Sequence, residues 1–210
     1  RTTTYTSHSG EVTTYLYDSN HRTIRQVDPD GSVTAWQYDS RGNATVVTVN
    51  GDTTVHSYDD AGNLTATTYS DGSREQWNYD QYGLPILYID RDGVTEQWRR
   101  DDRGNATTYL KGGKTVWTAT YDNHGFVVNY TVYGGSTVST DYSYDQWGNM
   151  INRITGGISE TWEYDERNRV ILYKVDDAVQ ATYTYTAKSA TETLYNGLER
   201  VYIWNSRKDL

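Results

Sequence analysis

The acidic side chains are the first candidates for chemistry in this sequence. Asp18, Asp39, Asp59, Asp80, Asp101, Asp122, Asp145 and Asp165 recur 20 to 23 residues apart, seven of them directly after a tyrosine. An oxygen-rich row of this kind can hold calcium. The Gly-Gly-x-Gly-x-Asp spacing of calcium-binding β-repeats is absent, however, and turn capping accounts for the row without an ion. Glycoside hydrolysis needs two carboxylates flanking one bond. Asp59/Asp60, Asp101/Asp102 and Asp176/Asp177 instead stand in turn-forming stretches, like ordinary solvated acids. Of the four histidines, His8, His21 and His124 fall in turns, and His56 replaces an aromatic within a strand. The chain has no cysteine, which excludes disulfides, thiolate metal sites and cysteine nucleophiles. The reading is therefore no enzyme, no catalytic residue, no metal and no cofactor. One further row is open to chemistry. Trp36, Trp77, Trp98 and Trp162 occupy a single recurrent position. Exposed indoles on a flat sheet could stack on sugar rings, and the plainer role is to hold the sheet together.

These rows are positioned by a repeat. Tyr-Asp-x-x-Gly-Asn stands complete at Tyr38–Asn43, Tyr58–Asn63 and Tyr144–Asn149, and nearly so at Tyr79–Gly83 and Tyr121–Gly125. Degraded copies lie at Tyr17-Asp18, Arg100-Asp101, Tyr164-Asp165 and Tyr185-Thr186. Midway between copies falls a second turn signal: Ser9-Gly10, Asp30-Gly31, Asn50-Gly51, Asp71-Gly72, Asp92-Gly93, Gly112-Gly113, Gly134-Gly135, Gly156-Gly157, Asp176-Asp177 and Asn196-Gly197. Pairs of this type are preferred centres of two-residue hairpin turns, where both positions need φ > 0. Each unit therefore reads strand, tight turn, strand, Tyr-Asp turn, with roughly 6 or 7 residues per strand. In the Tyr-Asp turn the aspartate accepts N–H bonds two residues on, and the glycine supplies the positive φ. The structural turn residues are Asp39/Gly42, Asp59/Gly62, Asp80/Gly83, Asp122/Gly125 and Asp145/Gly148. The tyrosine is expected to bury its ring and keep its hydroxyl in water. Side chains alternate between turns, so equivalent aromatic and aliphatic positions form ladders across neighbouring strands.

Composition fits a thin β-structure. Hydrophobic residues make up only 35%, yet there are 21 tyrosines and 7 tryptophans against one phenylalanine. Tyrosine, tryptophan, threonine and valine suit a pleated, half-buried surface. The formal net charge of −9 opposes nucleic acid and anionic membrane surfaces. No apolar run approaches the roughly 20 residues of a membrane span. Sequons at Asn43, Asn63, Asn105 and Asn129 arise mostly from the Gly-Asn-x-Thr repeat itself.

Tyr-Asp-x-x-Gly-Asn at this period, with a second turn between copies, resembles the YD repeats of Rhs (rearrangement hot spot) proteins, also found in Tc toxin components, wall-associated bacterial proteins and teneurins. The resemblance covers about Tyr5 to Trp204. It implies a long antiparallel β-strip that spirals into a hollow shell. In bacterial members the shell encloses a C-terminal toxin; in teneurins it is an extracellular adhesion scaffold. The Asp-Pro-x-Gly-Leu segment that ends the Rhs core is absent, and Asp28-Pro29-Asp30-Gly31-Ser32 is merely a hairpin turn. Self-cleavage and toxicity are therefore not carried over.

The expected fold is all-β: an antiparallel meander of about 20 strands in one curved or spiralling open sheet, a section of a β-shell, read as one domain over residues 1–210 with about ten units. At ~4.8 Å per strand the sheet is about 95 Å wide, too little to close around a folded domain. The expected function is a scaffold segment of a secreted or cell-surface protein, part of a shell around a polymorphic toxin domain. The alternative is a module that binds carbohydrate or a cell surface through the Trp/Tyr row. Expected partners are other repeats of a larger chain or end-on copies of this one, an enclosed toxin domain, and glycans.

Overall fold

The computed structural model describes residues 1–204; the last six residues of the expected 1–210 domain lie outside the described part. Twenty strands, from Thr2–Thr6 to Glu199–Ile203, form one open antiparallel sheet, with no helix among the described residues. By its contacts the chain divides into two compact units, Arg1–Trp98 with Leu110–Lys114, and Arg99–Tyr109 with Thr115–Leu210. Within each unit, strands adjacent in sequence pair as antiparallel hairpins.

Little of the chain is buried. Among the described residues only Ala66, Thr67, Ala119 and Ala181 are nearly shielded from solvent, and no large side chain is fully enclosed. The fold therefore rests on bonds between neighbouring strands rather than on a thick apolar core.

The midway turns are of two kinds, which corrects the expectation of φ > 0 at both positions throughout. Asn50-Gly51, Gly112-Gly113, Gly156-Gly157 and Asp176-Asp177 do have both residues in the left-handed region. At Ser9-Gly10, Asp30-Gly31, Asp71-Gly72, Asp92-Gly93 and Asn196-Gly197 only the glycine does. There the loop has three residues: Gly31 N donates to Asp28 O at 2.9 Å, and Asp28 N to Ser32 O at 2.9 Å. This is a type I turn followed by a glycine bulge, and it spares the residue before glycine the cost of left-handed backbone. Gly134-Gly135 has positive φ at neither position, and its loop is wider.

A β-bulge flanks seven Tyr-Asp turns, its extra residue in the strand after the turn. Gln37 faces Val46 while Tyr38 faces Ala44, so Thr45 is skipped. Ile24, Thr65, Ile86, Val128, Ile151 and Ile171 are skipped in the same way. The bulge leaves each tyrosine facing the first residue of the next strand. Its hydroxyl is not left in water, contrary to expectation. From Tyr38 on it donates backward, to the first residue of the strand that follows the previous turn. Tyr38 reaches Thr23 O (2.6 Å), Tyr58 reaches Ala44 O (2.9 Å) and Tyr79 reaches Leu64 O (2.8 Å). In the second unit Tyr121, Tyr144, Tyr164 and Tyr185 bond the carbonyls of Ala106, Val127, Met150 and Val170 at 2.7–2.9 Å. A ring held against the sheet brings its hydroxyl to a main-chain carbonyl, the partner a half-buried phenol needs.

Replacing Tyr58 by Phe keeps the ring and removes only this donor. The expected loss is about 1 kcal/mol, read as a lower urea midpoint with unchanged far-UV circular dichroism. Tyr5→Phe, at a ring 62% exposed, should change the midpoint by less than about 0.5 kcal/mol. Equal effects at the two positions would contradict the assignment.

Candidate functional site

The Tyr-Asp turns are the chemically richest part of each unit. In eight copies the aspartate Oδ1 accepts the N–H groups two and four residues on. For Asp39 these are Arg41 and Asn43, both at 2.9 Å. For Asp59 they are Ala61 and Asn63, for Asp80 Tyr82 and Leu84, for Asp122 His124 and Phe126, and for Asp145 Trp147 and Asn149, all at 2.8–3.0 Å. Asp18, Asp101 and Asp165 repeat the pattern. The second oxygen is held by the side chain four residues on: Asn43, Asn63, Asn105 and Asn149 through Nδ2, Arg22 and Arg169 through the guanidinium. The glycine positions, among them Gly42, Gly62, Gly83, Gly125 and Gly148, all have positive φ. In the copies without glycine, His21 and Asn168 adopt it instead.

These bonds favour the ionised carboxylate. The Asn43 side chain first holds the Asp39 carboxyl below its ordinary value, and the Asn63 and Asn105 side chains do the same for Asp59 and Asp101. Arg169 brings Asp165 down to about 2.

The side chain four residues after the aspartate also covers the tyrosine of the next copy. Arg22 lies over Tyr38 at 4.7 Å and Arg169 over Tyr185 at 4.2 Å. Phe126 takes that place over Tyr144, with ring centroids 4.9 Å apart. A Cβ on Gly148 would come within 2.7 Å of Phe126 Cζ, so glycine is required there by contact as well as by φ.

The four tryptophans keep their common strand position and are all half-buried. Trp36 faces Val47 across the strand pair. Trp77 stacks on Tyr88 at 5.2 Å and Trp162 on Tyr173 at 5.4 Å. Trp98 lies at the same place in its own strand, Thr95–Arg100. Sequence reading missed the glutamates two residues before Trp77 and Trp162. Glu75 accepts the hydroxyls of Tyr69 (2.9 Å) and Tyr88 (3.0 Å). Glu160 accepts Tyr173 (2.8 Å) and Arg153 Nε (2.6 Å). Burial first, and then Glu75, pushes the Tyr88 phenol up to about 12. The signal was the recurring Glu-x-Trp triplet. His56 bonds Thr67 Oγ1 at 3.1 Å, and His124 lies 3.8 Å from its own turn's Asp122. Also missed was an open groove between two turns of the second unit, walled by Phe126 and Trp147.

Hairpins joined sideways, turn to turn and tyrosine to carbonyl, define a β-repeat scaffold. The RHS Repeat family matches residues 17–55 and 58–96, and the Teneurin YD-shell family matches residues 101–209. The chain belongs to the Rhs/YD-repeat family. No curated protein sequence matches it. Among solved structures it is similar in fold to TcdB2-TccC3-TEV, at 17% identity and TM-score 0.52 over 90% of this chain and 13% of that one. It is also similar to the Photorhabdus luminescens Tc holotoxin pore, at 13% identity and TM-score 0.50 over 96% of this chain and 15% of that one. The chain thus spans about an eighth of the length of the structures it resembles.

A carboxylate whose folded pKa is depressed stabilises the fold fully above its unfolded value, 3.8 here; that stability is lost as pH falls through the folded value. The urea midpoint should be level from pH 7 to about 5 and fall between about 4 and 2. Asp165→Asn should remove part of that slope. A midpoint unchanged down to pH 2 would refute the role given to the turn aspartates.

Proposed function

We propose that the chain is a stretch of shell wall in a larger secreted or surface Rhs/YD-repeat protein, one that encloses or presents a polymorphic toxin domain. Its work is mechanical, with no turnover, and other repeats of the parent chain are its first partners. The observation that carries this reading is the tyrosine stitch. In seven copies the tyrosine finds the same backbone acceptor in the hairpin before it, so wall can be lengthened by repetition. The likeness to Tc toxin chains several times longer supports it. In the parent protein, the toxin domain should resist trypsin. Removing residues 17–96 should open the wall and expose that domain to cleavage. Equal protection with and without those repeats would contradict the reading.

A second reading is favoured by the paired rings. Trp77 on Tyr88 and Trp162 on Tyr173 each form a stacked pair of half-buried rings with a glutamate bonded to it, and an outer ring face of this kind suits a sugar. Under it, glycan-array binding should be detected and should fall in Trp77→Ala with the fold intact. An array without binding would remove it.

A further inference from the structure

The residue two places after each turn aspartate forms a column of unlike side chains: Asn20, Arg41, Ala61, Tyr82, Arg103, His124, Trp147 and Arg167. In two copies an arginine of this column reaches the next turn. Arg41 Nη1 donates to the main-chain carbonyls of Asp59 (3.2 Å) and Asp60, while Nη2 pairs with Asp60 Oδ1 at 3.0 Å. Arg103 Nη1 donates to the carbonyls of Asp122 (3.5 Å) and Asn123. The acceptors are the same two turn positions each time, the aspartate and the residue after it. The turn itself is thus a guanidinium acceptor, and the copy before supplies the guanidinium.

Between the turns at Asp122 and Asp145 the column holds His124, whose imidazole lies beside its own Asp122. In front of the corresponding acceptors, Asp145 and Gln146, is an open groove of about 650 Å³. Asn123, His124 and Phe126 wall one side, and Trp147 and Gly148 the other. Trp147 is 69% exposed. The lining includes two aspartates and no lysine or arginine.

We propose that this groove binds an arginine side chain presented by another polypeptide segment. The guanidinium takes the Asp145 and Gln146 carbonyls as acceptors, as Arg41 and Arg103 take those of the turns that follow them. Its plane lies on the exposed Trp147 indole. Acceptor carbonyls, carboxylates and an indole face together suit a planar cation with several N–H donors better than a neutral ring. The chain's net charge of −9 draws in a basic segment. The inference stands apart from the shell reading, since it rests on the internal comparison of repeats.

The test titrates the full chain with two short glycine-serine peptides, identical except for a central arginine or the neutral isostere citrulline. The probe is the Trp147 indole N–H resonance, assigned by its loss in Trp147→Phe. The arginine peptide should give a saturating shift, and the citrulline peptide should bind at least roughly tenfold more weakly. His124→Arg gives this copy the internal arginine of its sisters and should abolish the shift while the chain stays folded. Equal shifts from the two peptides, or a titration unaffected by His124→Arg, would overturn the proposal.

Discussion

A sheet with almost no enclosed side chains must satisfy its polar backbone by other means, and here the aspartate of each Tyr-Asp turn does so. One carboxylate oxygen accepts two main-chain N–H groups, and in six of the eight copies the other takes a side chain four residues on. The turn becomes a fixed object, which sets the phase of the strand after it. The bulge follows, the tyrosine faces the first residue of that strand, and its hydroxyl reaches the unit before. Side chains that would be scattered surface residues on another fold act as cross-links between repeats.

This dependence explains why apolar content can be low without disorder. Gains come from many small terms, each between immediate neighbours: stacked pairs such as Trp77 on Tyr88, glutamates that gather tyrosine hydroxyls, and arginines over tyrosine rings. Such terms add along a repeat array in proportion to its length. The turn aspartates keep the same role in all eight copies. The side chain two after the aspartate changes from copy to copy.

The repeat, its period, the strands and the turns were legible because they depend on local residue type. A period-2 pattern gives the face on which a side chain lies but not its partner. The tyrosine acceptor therefore could not be read, for it lies one unit back and is a carbonyl common to every residue. The bulges were hidden because the skipped residues, Ile24, Thr45, Ile86 and their equivalents, are β-branched and look like ordinary strand positions. Asp30-Gly31 and Asn50-Gly51 look alike as dipeptides, yet the loops differ, because closure depends on the flanking residues too. The groove beside Trp147 needed both Phe126 in an asparagine position and His124 in an arginine position. Only aligned copies make that coincidence visible.

Amide hydrogen exchange on the full chain measures most directly whether the turns carry the fold. The N–H groups of Asn43, Asn63, Asn105 and Asn149 lie in surface turns, and each is bonded to an aspartate carboxylate. They should exchange as slowly as the amides of the adjoining strands. Exchange at the rate of open loops, with the strands still protected, would mean that the turns merely connect strands held together by something else.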